Sequence, residues 1–312
     1  RIQECCDDED TNIVLLPTND DASQCKLSAI KLGYWKDEFL QSMIDSGPRR
    51  APEINRGYFA RVRGVGLVGG NGQIINLGSG FDTLFWKLKS SNVPFKKFVE
   101  LDFPAVTARK IWSIKKKPLL ANMIQEEEVI FDKTNIHSKS YHLIGVDLRD
   151  VKDLDAKLRS INLDFSAPTL FISECVLVYI EYPLAQNMLS WISSAFISAL
   201  FICYDPINMS DKFGEVMISN LRAQGCHLAG IDACTSLESQ KQRYLNAGWD
   251  GVDGADMCKF LDEQELLTQL FQHYSICCAW KGKELENISI TYLINKERGL
   301  DLMSFVLFIK LK

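Results

Sequence analysis

The chain has 312 residues, of which 46% are hydrophobic and 24% are charged, and its net charge is −5. This composition is that of an ordinary globular protein, and the length allows one large domain or a core domain with an appended cap. The acidic balance argues against a nucleic-acid-binding surface, which usually carries an excess of lysine and arginine.

The N-terminal residues RIQECCDDEDTN lack the basic start and apolar run of a signal peptide. No apolar run approaches the ~18 residues that cross a bilayer. Ten cysteines include the adjacent pairs Cys5-Cys6 and Cys277-Cys278, without a C-x-x-C motif or metal-ligand spacing to the four histidines. We therefore expect a soluble, cytoplasmic, monomeric protein with reduced thiols, no metal, and no membrane or nucleic-acid partner.

The first quarter of the chain differs in pattern from the rest. Residues 1–22 are acidic and polar, which predicts a mobile tail. From Ser23 onward apolar residues recur at intervals of three and four residues, with a break at Gly33. Residues 23–72 are therefore predicted to form a helical lid and a basic loop. Five glycines within 64–73 indicate a flexible linker.

After this linker, short apolar runs alternate with longer helical segments. Because the runs do not alternate polar and apolar residues, they are typical of strands buried on both faces, as in a parallel sheet covered by helices. The repetition predicts a doubly wound α/β sheet over residues 73–285, followed by a C-terminal extension over 286–312. The predicted strands are Gln73–Leu77, Phe98–Leu101, His142–Val146, Thr169–Ser173, Ala199–Tyr204 and Ser275–Ala279.

The first strand ends in the sequence NLGSG, which contains Gly78 and Gly80. Glycines at this place allow a sharp turn and a close approach of the main chain to a ligand. The helix that is predicted to begin near Asp82 presents free N–H groups and the positive end of its dipole toward the same place. G-x-G alone does not separate a ligand-binding loop from a structural turn.

Polar residues also follow the next three strands. Glu100 and Asp102 lie about twenty residues beyond the glycines, where Rossmann-type sheets place a carboxylate that binds ribose hydroxyls. Asp147 and Leu148 follow the third strand, and Glu174 and Tyr179 follow the fourth. Ligands of doubly wound sheets bind at the carboxyl ends of the strands, so these residues predict one nucleotide site.

The glycine loop favours one class of nucleotide. Dinucleotide-binding loops carry a third glycine in G-x-G-x-x-G, and here that position is Thr83, with the bulky Phe81 inside the loop. A ligand with a carboxylate-bearing tail, a ribose and an adenine, such as S-adenosylmethionine, fits better than a pyrophosphate. A dinucleotide remains an alternative, since some dehydrogenases also replace the third glycine.

Several segments together resemble leucine carboxyl methyltransferase. They are CKLSAIKLGYW, APEINRGYFARV, INLGSGFDTLFWKL, VELDFP, GVDLRD, SECVLVY, NMSDKFGEVMI and SLESQKQRYLNAGW, in this order between Cys25 and Trp280. The resemblance implies a class I S-adenosylmethionine-dependent methyltransferase fold with an N-terminal helical lid. It also implies that the substrate is the C-terminal leucine carboxylate of the type 2A serine/threonine phosphatase catalytic subunit.

The resemblance assigns roles by motif position. Lys26 and Arg61 would face the carboxylate end of the cofactor, Gly78 would lie under its methionine portion, and Asp102 would bind the ribose. Asp147 and Leu148 would flank the adenine, and Glu174 would face the methionine amino group. Arg61 and Tyr179 would serve the reaction itself, Arg61 by orienting the substrate carboxylate and Tyr179 by lining the pocket.

Two departures from the family pattern keep other functions open. Glycines over 64–72 replace an amphipathic helix, and a variable stretch near residue 257 is almost absent. The alternatives are an NAD-dependent oxidoreductase and a non-catalytic methyltransferase-like binding module.

Overall fold

The computed structural model describes residues 7–45, 47–65, 72–125, 128–223, 225–261 and 267–286. In these ranges the helices are α1 (Asp7–Lys31), α2 (Glu38–Met43), α3 (Pro52–Val65), α4 (Leu84–Ser90), α5 (Pro104–Lys116), α6 (Pro118–Ile124), α7 (Val151–Ser160), α8 (Tyr182–Ala195), α9 (Lys212–Ala223), α10 (Leu237–Asn246), α11 (Met257–Leu261) and α12 (Thr268–Phe271). The strands are β1 (Gln73–Leu77), β2 (Lys97–Asp102), β3 (Ile130–Phe131), β4 (Ile136–His137), β5 (Tyr141–Gly145), β6 (Thr169–Glu174), β7 (Ala199–Pro206), β8 (Gly251–Asp256) and β9 (Tyr274–Lys281).

The strands of the described residues form one sheet in the order β3-β4-β5-β2-β1-β6-β7-β9-β8. The five central strands, from β5 to β7, run parallel. The chain moves outward from β1 through β2 to β5, and then returns to place β6 on the other side of β1. A crevice therefore opens at the carboxyl ends of β1 and β6, where the strand order reverses.

The predicted doubly wound α/β class is confirmed, with one correction. β9 runs antiparallel to β7 and to β8, whereas its sequence predicted a parallel strand. Five consecutive residues of β9, Ser275–Ala279, are buried, so its apolar run looks the same in either direction. β3 and β4 have two residues each and β8 contains Gly251 and Gly254, so the apolar pattern did not reveal these three strands.

Neighbouring residues in the strands bury opposite faces of the sheet. Ile74 and Phe98 belong to the core under α4, α5 and α6. Ile75 and Val99 belong to the core under α7, α8 and α10. Because successive side chains of a strand point to opposite faces, a strand that is apolar throughout requires helices on both sides.

The aromatic residues after the glycine loop fill the first of these cores. Phe85 and Trp86 are fully buried, and the ring of Phe85 lies 4.3 Å from that of Tyr141 between centroids. The indole nitrogen of Trp86 donates a hydrogen bond to the carbonyl oxygen of Leu120 at 3.1 Å. These side chains hold α4 against the sheet.

The N-terminal segment differs from the prediction. α1 begins at Asp7, so a mobile tail is the wrong description for residues 7–22. Asp20 forms an ion pair with Arg109 at 2.9 Å, and Asp21 forms one with Arg50 at 2.6 Å. Both partners are distant in the sequence, so composition alone did not indicate that these acidic residues would be paired.

Other predictions fall partly or wholly outside the described residues. The parts of these predictions that lie outside are the first six residues of the predicted tail, 66–71 of the glycine-rich stretch, and 287–312 of the C-terminal extension. Gly64 and Val65, predicted to belong to the linker, instead complete α3.

The described cysteines are all free thiols, as predicted, and Cys5 and Cys6 lie outside the described residues. No helix in the described ranges is both long enough and apolar enough to cross a membrane.

A buried hydrogen bond connects the lid to the sheet domain. The hydroxyl of Thr83 donates to Asp37 Oδ2 at 2.6 Å, while Asp37 Oδ1 accepts from the amides of Phe39 and Leu40 at the start of α2. Thr83 precedes α4 and is 2% exposed. The residue that replaces the third glycine of a dinucleotide loop therefore connects α4 to α2.

Replacing Thr83 with valine keeps the shape of the side chain but removes this hydrogen bond to a buried carboxylate. We expect Thr83→Val to lower the free energy of unfolding by about 1–3 kcal/mol, measured by urea denaturation. Ser194→Ala, at an exposed serine of α8, is the control and should change it by less than about 0.5 kcal/mol. Equal effects of the two substitutions would contradict this role for Thr83.

Candidate functional site

A cavity of about 510 Å³ lies at the carboxyl ends of β1, β2, β5 and β6. This volume falls in the range of small-molecule and cofactor sites. Seven residues predicted from the sequence line it: Arg61, Gly78, Asp102, Asp147, Leu148, Glu174 and Tyr179. Asn19, Asp21 and Cys25 of α1 also line it, so the lid forms one of its walls.

A triad of charged side chains lies where the lid meets β6. Glu174, the last residue of β6, accepts from Lys26 Nζ at 2.8 Å and from Arg61 Nε through the same oxygen, Oε1. Arg61 Nη2 also donates to the carbonyl oxygen of Glu174 at 3.0 Å. Lys26 comes from α1 and Arg61 from α3, so one strand-end carboxylate binds two helices of the lid.

The electrostatics of the triad keep Glu174 ionised. Burial by itself would raise the pKa of Glu174, but the positive charges of Lys26 and Arg61 outweigh burial and lower it to about 2. The three side chains carry one net positive charge, which Asp82 Oδ2, 3.7 Å from Lys26 Nζ, offsets on the side of Lys26. Lys26 approaches Glu174 from a small neighbouring cavity of about 30 Å³ that Trp35 and Phe81 also line, rather than from the large cavity.

Both glycines of the loop have backbone conformations that favour glycine. Gly78 has φ of +60° and Gly80 has φ of +49°. A Cβ on Gly78 would lie 2.5 Å from Cγ2 of Val176, and one on Gly80 would lie 2.2 Å from Oδ1 of Asn19. The glycines therefore allow the loop to lie close to the segment after β6 and to α1 while its backbone faces the cavity.

Asp102 is held at the cavity by backbone amides. Its Oδ2 accepts from the amide of Gly80 and its Oδ1 from the amide of Phe103, each at 2.7 Å. Burial raises the pKa of Asp102, and the two N–H groups offset part of that rise. A carboxylate has about four acceptor positions, so each oxygen can accept a further hydrogen bond from a ligand hydroxyl.

Glu100, one strand repeat before Asp102, does not belong to the cavity. It is fully buried, with Oε2 at 2.6 Å from Lys110 Nζ and 2.7 Å from the hydroxyl of Tyr141. Burial raises the pKa of Glu100 to about 7 although Lys110 lies beside it. Lys110 Nζ also donates to the carbonyl oxygen of Asp82 at 2.8 Å, so Glu100 supports the glycine loop from inside the protein.

Asp147 and Leu148 follow β5 on the same rim. Asp147 forms an ion pair with Arg149 at 2.6 Å and accepts from the backbone amide of Arg149 at 2.9 Å. Leu148 is 6% exposed and contributes an apolar wall. A carboxylate beside an apolar surface can accept from an exocyclic amine while the surface contacts a flat ring.

The buried tyrosine hydroxyls and cysteine thiols around the cavity keep their protons. Burial raises the pKa of Tyr58, Tyr179 and Tyr274 far above the usual value, so their hydroxyls keep their protons. Burial also raises the pKa of the Cys25 thiol to about 11 and that of Cys175 to about 12. None of these five groups can act as a general base or thiolate nucleophile near neutral pH.

One part of the cavity wall, called the apolar end below, is lined mainly by apolar side chains, and sequence reasoning did not identify it. Phe213, Met217 and Leu221 of α9 line it together with Leu228 and Leu270. Their spacing of four residues places the three α9 side chains on one stripe of the helix. Phe213 and Met217 lie within NMSDKFGEVMI and Leu221 follows it. This spacing was the signal available in the sequence, but periodicity could not show that the stripe faces a cavity.

The fold and the site define a class I S-adenosylmethionine-dependent methyltransferase. A putative methyltransferase from Thermobifida fusca YX has the same fold, with a TM-score of 0.53 at 14% sequence identity, covering 85% of this chain and 98% of that one. A family model described as leucine carboxyl methyltransferase matches residues 15–193. The chain belongs to the leucine carboxyl methyltransferase family.

Curated relatives extend this similarity over most of the chain. Leucine carboxyl methyltransferase 1 of Bos taurus is 44% identical over 306 residues, which cover 88% of this chain and 92% of the relative. The Arabidopsis thaliana homologue is 35% identical over 301 residues, 91% of this chain and 90% of the relative. The chain is also 33% identical to tRNA wybutosine-synthesizing protein 4 of Rattus norvegicus over 259 residues, covering 78% of this chain but only 38% of that protein.

This membership confirms the predicted activity class and cofactor. The protein is an enzyme that methylates a carboxyl group with S-adenosylmethionine as the methyl donor. The alternatives of an NAD-dependent oxidoreductase and of a non-catalytic binding module are not supported.

The pKa of Glu174 leads to a prediction about acid stability. A glutamate in an unfolded chain titrates near 4.3, so below about pH 6 the unfolded state takes up a proton that folded Glu174, with its pKa of about 2, does not. The stabilisation from this group is therefore complete at neutral pH and is lost as the pH falls toward 2.

Glu174→Gln should remove this dependence. Between pH 6 and pH 4 the free energy of unfolding of the unmodified protein should fall by about 0.5–1 kcal/mol more than that of the variant, measured by urea denaturation. Glu215→Gln, at an exposed glutamate of α9, is the control and should keep the dependence of the unmodified protein. If the free energy of unfolding depended on pH in the same way in the unmodified protein and in Glu174→Gln, the lowered pKa would be contradicted.

Proposed function

We propose that this enzyme transfers a methyl group from S-adenosylmethionine to the α-carboxylate of the C-terminal leucine of the type 2A serine/threonine phosphatase catalytic subunit, forming a leucine methyl ester. The observation that carries the proposal is a single cavity with a charged end at Arg61 and Glu174 and an apolar end at Phe213, Met217 and Leu221. A C-terminal leucine has the matching pair of groups, a carboxylate next to a branched apolar side chain.

The proposed cofactor contacts use the groups that line the charged half of the cavity. Asp102 would accept from the ribose hydroxyls through its remaining acceptor positions, and the backbone at Gly78 would lie under the methionine portion. Asp147 would accept from the amine of the adenine, and Leu148 would contact the ring. These assignments agree with the positions of the four residues around one cavity.

The triad would bind the amino-acid end of the cofactor. Glu174 would accept from the methionine ammonium group, while Lys26 and Arg61 would attract its carboxylate. In the structure Lys26 and Arg61 neutralise Glu174 directly. A zwitterion supplies one charge of each sign, so it could replace part of these contacts without leaving a buried charge unpaired.

The protonation states around the cavity favour a carboxylate as the methyl acceptor. A hydroxyl or amine acceptor needs a base to remove its proton, but the tyrosines and thiols described above are protonated at neutral pH. A C-terminal carboxylate, with a pKa near 3.5, is already ionised. This site would therefore need to orient its nucleophile rather than deprotonate it.

When bound, S-adenosylmethionine supplies a methyl group on a positively charged sulfur. The attack of a carboxylate on this methyl reduces the charge of both partners, so water, which stabilises separated ions, opposes it. Leu148, Val176 and Val178 line the cavity with apolar side chains, which offer water no hydrogen bonds there. Alignment of the two partners there can supply up to roughly 7–11 kcal/mol of rate acceleration.

Arg61 is the proposed orienting group for the substrate carboxylate, and Tyr179 a lining residue beside it. The side chain of Arg61 is 16% exposed, and its guanidinium lies 5.3 Å from the ring centroid of Tyr58. Its planar group can donate two parallel hydrogen bonds to a carboxylate, which fixes the direction of the oxygen lone pairs. The bonds to Glu174 hold the guanidinium at the cavity wall.

The proposed substrate can be tested with labelled S-adenosylmethionine and the phosphatase core enzyme. We expect transfer of label to the catalytic subunit, release of the label by mild base as expected for an ester, and no transfer when the terminal leucine is deleted. Transfer to the truncated subunit, or a base-stable product, would contradict the proposal.

Substitution of Arg61 tests its role in that reaction. We expect Arg61→Ala to lower kcat/KM for the phosphatase by about 100-fold or more and Arg61→Lys by about 10-fold, because lysine keeps the charge but not the paired donors. Circular dichroism should show that the fold is retained. Arg56→Ala, at an exposed arginine of the same helix, is the control, and near-normal activity of Arg61→Ala would contradict the assignment.

A further inference from the structure

The apolar end of the cavity is largely formed by α9, and the start of this helix is held in an unusual way. Gly214, in the first turn, is buried, and a Cβ on it would lie 2.3 Å from the carbonyl oxygen of Met209. The first turn is therefore pressed against the backbone that precedes it. A small shift of this turn would move Phe213 and Met217 at the cavity wall.

Asp211 connects this turn to a buried histidine. Its Oδ1 accepts from the amide of Gly214 at 2.9 Å, and its Oδ2 lies 2.8 Å from Nε2 of His273. The side chain of His273 is fully buried, and the ring of Phe213 lies 4.4 Å from the imidazole between centroids. His273 thus contacts both the cap of α9 and the first cavity-lining residue of that helix.

The second ring nitrogen of His273 is also engaged. Nδ1 lies 2.5 Å from the carbonyl oxygen of Gln269, at the other side of the ring. Each ring nitrogen of His273 therefore lies next to one oxygen atom, Nδ1 next to the carbonyl of Gln269 and Nε2 next to the carboxylate of Asp211. The ring is thus fixed on both sides, and its Nε2 edge is the one that meets the cap of α9.

The surroundings agree with this arrangement. The amide of Gly214 and the ring of His273 both lower the pKa of Asp211. Leu270 and Tyr274, on either side of His273 in the chain, line the same cavity end as α9. The histidine therefore joins two walls of the apolar end without reaching the cavity itself.

We propose that His273 is a positioning residue that, through Asp211, sets α9 against the side chain of the substrate's terminal leucine and thereby sets leucine selectivity. The proposal rests on the proposed function, because it assigns the apolar end of the cavity to that side chain. It predicts that the bond from Nε2 to Asp211, rather than the mere presence of a buried ring, controls substrate binding.

Two amide substitutions separate the two bonds of the ring. The amide nitrogen of glutamine reaches the place of Nε2 and can still donate to Asp211, whereas that of asparagine reaches only the place of Nδ1. We expect His273→Asn to raise KM for a leucine-terminated phosphatase peptide about tenfold with kcat changed less than about twofold, and His273→Gln to stay within about threefold in KM. Affinity for S-adenosylmethionine should be unchanged in both.

A second pair of variants keeps the test decisive if His273→Asn is poorly folded. Asp211→Asn keeps a side chain that caps α9 but loses the negative charge, and Met217→Ala enlarges the apolar end directly. Both should reduce the preference for a leucine-terminated over an alanine-terminated peptide. An unchanged preference in Asp211→Asn, together with a reduced one in Met217→Ala, would overturn the proposed role of His273.

A readout that does not depend on activity separates this proposal from the proposed function. The methyl NMR signal of Met217 should shift in His273→Asn and Asp211→Asn but remain near its original position in His273→Gln. If the phosphatase is not methylated but the signal behaves in this way, the proposed substrate is wrong and the positioning contact is correct. If His273→Asn and His273→Gln give the same signal and the same KM, the proposed positioning role is wrong.

Discussion

The structure depends above all on the carboxylate of Glu174 at the end of β6. This side chain joins Lys26 of α1 and Arg61 of α3 to the central sheet, so the lid is attached at the point where the strand order reverses. An ion in this position would be unfavourable without its partners, because burial removes its water. The same contact therefore anchors the lid and leaves the ion pair of Arg61 and Glu174 at the wall of the large cavity, while Lys26 approaches from the small neighbouring cavity.

A second constraint is the separation of charge along the cavity. Charged groups gather at the strand ends, and the stripe of α9 makes another part of the cavity wall apolar. Between them, buried tyrosines and thiols keep their protons, so the site has no strong base where the methyl acceptor would lie. This distribution suits an acceptor that is ionised before it arrives and that carries an apolar side chain.

Much of the sheet and of its rim could be predicted from the sequence. The bounds of β1 agree with the apolar run, and the residues after four strands meet at one cavity because the carboxyl ends of parallel strands share an edge. The direction of β9 could not be predicted, since burial on both faces produces the same apolar pattern in either orientation. Glu100 could not be separated from Asp102 either, because both are acidic and only the position of Lys110 on α5 shows which one is inside.

The sequence by itself therefore determined the fold class, the family and the rim residues, because these follow from local periodicity, glycine positions and motifs in a fixed order. Only the tertiary structure decided which charges meet and which side chains face the cavity. Asp20 pairs with Arg109, Thr83 with Asp37, and His273 with Asp211, across 89, 46 and 62 residues of chain. Such contacts depend on how helices lie on the sheet, and no local pattern in the sequence records that arrangement.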